Sequence, residues 1–134
     1  MSNATKLISG ILLITVPSIQ FGGTFLLRLL SGKEPQFTDF QRSMFRAGHA
    51  HAGVLVILAL VAQVFVDQAA LPETLGWAVR IGFALAALLV SGGFFGGAFG
   101  KSQPGGLIAL LWIGVVLLAF SVITLGVGLI GART

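Results

Sequence analysis

Cysteine is absent from the 134-residue chain, which excludes disulfides, thiolate nucleophiles and cysteine-ligated metals. Charge is scarce too. Only 9% of residues are charged, against about 25% in an ordinary soluble domain. Such a chain has too few polar side chains to cover its own surface. Its carboxylates are Glu34, Asp39, Asp67 and Glu73, and all fall in loops or at helix ends. Paired-acid catalysis, carboxylate-bridged metals and acid-driven proton pumping therefore lack their parts. No phosphate-cradling loop precedes a basic residue, and nothing near Ser91 marks a nucleophile. The residue pattern assigns no catalytic role, and the chain reads as non-enzymatic.

What is abundant is hydrocarbon. Hydrophobic residues make up 56% of the chain and the mean hydropathy is +1.02. Four apolar runs, at about 7–30, 47–66, 75–99 and 107–130, each reach the roughly 20 residues that span a bilayer as a helix. Continuous runs rather than short alternating ones favour helices over a barrel. The expected fold is thus an all-α integral membrane protein, a single domain over 1–134 with four transmembrane helices in a bundle. The first run follows Lys6 as a signal peptide would, yet it outlasts the usual apolar stretch and lacks a small-residue cleavage site. It is expected to be a retained helix.

The net charge of +4 and a pI near 10.9 would suggest nucleic acid in a soluble protein. Here the basic residues are scattered singly, so membrane topology accounts for them and no nucleic-acid partner is expected. Arg28, Lys33, Arg42, Arg46 and Lys101 lie on one side; Lys6, Arg80 and Arg133 lie on the other. The positive-inside bias then places the loops bearing the larger set in the cytoplasm, with both termini outside a cell membrane.

An internal echo accompanies this pattern. Phe21-Gly-Gly-Thr-Phe25 recurs as Phe95-Gly-Gly-Ala-Phe99, each followed by a short basic turn. It suggests a duplicated helical hairpin, a parallel repeat about an axis along the membrane normal. Gly92, Gly93, Gly96, Gly97 and Gly100 form a small-residue ridge on the third helix. Gly22 and Gly23 on the first, and Gly114, Ser121, Thr124 and Gly128 on the fourth, supply others for close helix approach. More small faces exist than one bundle needs, so a homo-oligomer or larger membrane complex is a further expectation. Pro17 should kink the first helix and free a carbonyl near Leu13 or Thr15.

The polar residues within spans are few and concentrated. Arg46, His49 and His51 lie in the run Met44 to Gly53, at the mouth of the second span. Ionisable groups there are costly and so point to use. Arg46 and His49 are three apart and share a face, which Gly53, Leu60 and Gln63 continue. His49 and His51 diverge by about 200° and cannot chelate one ion on an intact helix. Gln20, Thr24, Ser91 and Trp112 fall at a comparable depth. The expected ligand or cofactor site is Arg46, His49, His51, Gln20 and Thr24, with His49 and His51 as candidate metal or haem ligands.

The leading expectation is a binding or accessory protein whose Arg/His site holds a lipid, a cofactor or a partner helix. Arg46-x-x-His49 resembles the entrance of haem-binding membrane helices over these few residues. That resemblance implies haem b as a cofactor and makes a haem or quinone redox protein the alternative. A small oligomeric transporter or proton-coupled channel is the third.

Overall fold

The computed structural model describes residues 1–133, and among them only helices and their connections form. Helix α1 covers Asn3–Leu30, α2 Asp39–Val66, α3 Glu73–Gly97 and α4 Ala109–Gly131. A 3-10 turn, Gly106–Ile108, leads into α4. All four helices are long and apolar enough to cross a membrane.

Local chemistry sets their ends. Ser2 caps α1 by accepting from the Thr5 N–H at 3.1 Å. At the other end Gly32 adopts a positive φ of 74°, and the Lys33 N–H returns to the Arg28 carbonyl at 3.1 Å. That closes the helix as glycine at this position commonly does. Thr38 and Gln41 form a reciprocal capping box at the start of α2, which satisfies two donors that would otherwise lack partners. The box starts α2 about two turns before residue 47, where the apolar span was expected to begin. Arg42 and Arg46 consequently sit on regular helix rather than in a loop. Helix α1 runs unbroken through Pro17. Beside it the Ser18 hydroxyl donates to the Thr15 carbonyl and the Thr15 hydroxyl to that of Leu12, each at 2.6 Å.

Packing follows chain order. Helix α2 lies between α1 and α3, and α4 packs on α3; among the described residues α1 and α4 do not approach one another. One apolar cluster joins Leu12, Ala62, Val79, Phe83 and Leu125 toward the Asp67 end. A second joins Leu55, Val56, Ala87, Val90 and Leu111 toward the Lys101 end. The outward surface is apolar as well, with Ile14, Phe21, Leu88, Val116 and Ile130 all more than half exposed.

Glycine brings α3 and α4 together. A methyl group added at Gly93 would sit 2.7 Å from Leu111 Cα, one at Gly96 2.6 Å from Leu107 Cβ, and one at Gly114 2.8 Å from the Val90 amide nitrogen. No side chain fits there without moving backbone, so close approach is built into this interface. Gly92 takes no part in the expected ridge, since an added methyl there would meet nothing within 4 Å. The two Phe-Gly-Gly segments receive different neighbours. Gly22 and Gly23 face His49, whereas Gly96 and Gly97 face Leu107, Met44 and Ile108.

Candidate functional site: a groove between the first two helices

Helix α1 is held at both ends and loosely between them. At its carboxyl end Leu29 is fully buried. Arg42 donates to the carbonyls of Leu29 at 2.7 Å, Glu34 at 3.0 Å and Phe37 at 3.2 Å, which ties the α1–α2 loop to α2. The Arg28–Glu34 ion pair, at 2.8 Å, closes the same loop. Beneath it Phe25, Phe37 and Phe45 meet edge to face at centroid distances of 5.3 to 6.0 Å, an arrangement their ring quadrupoles favour.

Between these anchorages a groove of about 260 Å³ separates α1 from α2. Val16, Ile19, Gln20 and Gly23 form the α1 wall. His49, Gly53, Val56, Ile57 and Leu60 form the α2 wall. The residues expected to share the Arg46–His49 face therefore do line one surface, as far as Leu60. Gln63 does not join it.

His49 lies half-buried across the Gly22–Gly23 backbone. A methyl group on Gly22 would be 3.6 Å from its Nδ1, and one on Gly23 3.5 Å from its Nε2. Neither ring nitrogen has a hydrogen-bond partner among the described residues. His51 differs. Its Nδ1 is 2.8 Å from the Ala47 carbonyl. A carbonyl only accepts, so Nδ1 carries a proton in this contact. Its ring lies over Phe94 of α3 at 4.7 Å. The two histidines thus face different helices, His49 toward α1 and His51 toward α3.

The remaining expected residues separate. Gln20 shares the groove with His49. Thr24 is exposed, its hydroxyl donating to the Phe21 carbonyl at 2.7 Å. Arg46 is exposed, and no hydrogen bond or ion pair engages it among the described residues. Trp112 is 64% exposed and points away from the bundle. Ser91 is buried and its hydroxyl is unpartnered among the described residues. No group of three or more histidine or acidic residues is placed to hold a metal ion among them.

A second polar cluster, at the opposite end, escaped the sequence reading. Arg80, 6% exposed, donates from Nη2 to Asp67 Oδ1 at 2.6 Å and from Nη1 to Thr5 Oγ1 at 2.6 Å. The same Nη1 reaches the Gln63 carbonyl at 3.0 Å. Thr5 donates to Asp67 at 2.8 Å, the Ser2 N–H donates to it at 2.8 Å, and the Met1 amine lies 4.0 Å away. Burial alone would raise the Asp67 carboxyl. Hydrogen bonds from Ser2, Thr5 and Arg80 outweigh that and hold it well below the usual carboxylate range. A cavity of about 250 Å³ adjoins the cluster, with Ser2, Glu73, Trp77 and Arg80 on its walls. Arg80 was read only as a topology charge, and it is a buried partner of two other segments, the start of α1 and the end of α2. The available signal was Gln63 and Asp67 one turn apart, next to a short hairpin that returns at Arg80.

The cluster is internally satisfied and holds helices together, whereas in the groove the His49 ring nitrogens lack a hydrogen-bond partner among the described residues. No family model, curated protein or solved structure matches the chain.

Proposed function

We propose that this chain is a multi-pass integral membrane protein of binding type, without catalytic activity of its own, that holds an amphiphilic ligand in the α1–α2 groove. One observation carries the reading: His49 is half-buried, faces a 260 Å³ groove open toward the surroundings of α1, and has no partner for either ring nitrogen among the described residues. Polar groups below a bilayer surface are costly when unsatisfied, so a ligand that hydrogen-bonds His49 and Gln20 would remove that cost. Arg46, one turn nearer the loop, stands where it would meet headgroups.

In the bilayer the basic Lys33–Lys101 end would face the cytoplasm and both termini the outside. Trp77, near the Asp67 end of the bundle, would lie at the outer interface. The repeated Phe-Gly-Gly sequence in α1 and α3, which run in the same direction, supports descent from a duplicated hairpin, although the first copy lies about two turns before its helix end and the second at its helix end.

Native mass spectrometry of the protein released from mild detergent tests the binding reading. A retained small molecule that is lost in His49→Ala is expected; identical spectra for wild type and variant would overturn it. An optical spectrum of the same sample tests haem, for which a Soret band that vanishes with His49 would be the sign.

A further inference from the structure

Building on that reading, we infer that the groove takes a single-tailed amphiphile with a neutral carbonyl or hydroxyl head, specifically an isoprenoid quinone or quinol. Its ring oxygen would lie at His49 and Gln20 and its tail along Gly53 toward Leu60. The walls decide this. No charged side chain lines the groove, so it offers nothing to neutralise a phosphate or carboxylate at a depth where an unpaired charge is expensive. Phospholipid headgroups belong instead at the level of Arg46.

The polar groups that do line it are versatile. An imidazole can donate to a quinone oxygen from one nitrogen and accept a quinol hydroxyl at the other. The Gln20 amide can likewise do either. Both oxidation states of such a ring are therefore accommodated without a change in the protein.

Size and shape point the same way. Pockets for drug-sized ligands hold about 300–1,000 Å³, so 260 Å³ suits one ring with the first length of a single chain rather than paired acyl chains. Gly53 keeps the lower part of the groove clear, because a methyl group added there would meet nothing within 4 Å. A prenyl chain can occupy that space and leave past α1 into lipid.

The same observation supplies the test. A Cβ at Gly53 meets nothing within 4 Å, so Gly53→Leu should project into the groove and fold with a melting temperature in detergent close to that of wild type. The probe is a decyl-tailed benzoquinone, titrated into detergent-solubilised full-length protein, with binding read by native mass spectrometry against a phosphatidylglycerol competitor. Saturable binding to wild type is expected, weakened about tenfold or more in Gly53→Leu and in His49→Ala, and undiminished by the phospholipid. Displacement of the quinone by phosphatidylglycerol, with that lipid's own binding sensitive to Gly53→Leu, would overturn the quinone assignment and leave the groove reading standing. Retention of a copurified peptide helix that depends on Gly53 would have the same meaning. If neither quinone nor lipid responds to either variant, the groove reading falls as well.

Discussion

Arg80 Nη2 meets Asp67 Oδ1 at 2.6 Å, across the hairpin between α2 and α3, in a setting where the guanidinium is almost wholly screened from its surroundings. The pair fastens more than that hairpin. Thr5 and the chain's amino end are fixed to the same two residues, so three segments depend on one charge pair.

Asp67→Asn should therefore lower stability by about 3 kcal/mol, the low end for breaking a buried pair, since the Asp67 side chain keeps 17% exposure. Thermal unfolding in detergent reads the loss. A change within error of wild type would mean that Arg80 finds water or another acceptor.

Acid should reproduce part of that loss. The folded carboxyl titrates below its unfolded value, so its contribution is complete above about pH 5 and disappears progressively on further acidification. The difference in melting temperature between wild type and Asp67→Asn should accordingly narrow as pH falls from 6 toward 3. A constant difference across that range would sink the linkage.

Glycine substitutions on α3 and α4 should split by neighbour. Gly93→Ala and Gly114→Ala force a methyl group into the backbone of the facing helix and should cost about 1–3 kcal/mol. Gly92→Ala meets nothing and should be neutral or gain up to about 1 kcal/mol from helix propensity. Equal melting temperatures for all three would show that α3 and α4 part readily.

Orientation can be measured directly, because the absence of cysteine leaves the background clean. A single cysteine at Lys33 should be shielded from an impermeant maleimide in intact cells, and one at Ser2 or Arg133 labelled. The reverse pattern would invert the topology.

Much of the architecture was legible in the sequence because the forces that set it are local. Apolar run length marks the helices, but the Thr38-x-x-Gln41 box that starts α2 at Asp39 was overlooked, because the polar first turns of that helix lie outside its apolar run. Angular arithmetic on one helix also placed His49, Gly53 and Leu60 together and turned His51 away. What depended on distant segments was not legible. Thr5 and Arg80 are 75 residues apart, and no periodicity links them. Trp112 and Thr24 share a depth with His49 yet face outward, because depth along a helix says nothing about rotation around it.

The row-like order of the helices has a consequence for how the protein is made. Each helix leans on its predecessor in the chain, so most interfaces can form as soon as the next span leaves the ribosome, with little searching. The first helix is the exception. Its amino end has no complete anchorage until Asp67 and Arg80 have both been synthesised, several seconds later at about 5–20 residues per second. The earliest helix to be made is thus fully secured only once α3 has been reached, and a cross-link between Thr5 and α2 should be weaker in nascent chains that stop short of Arg80.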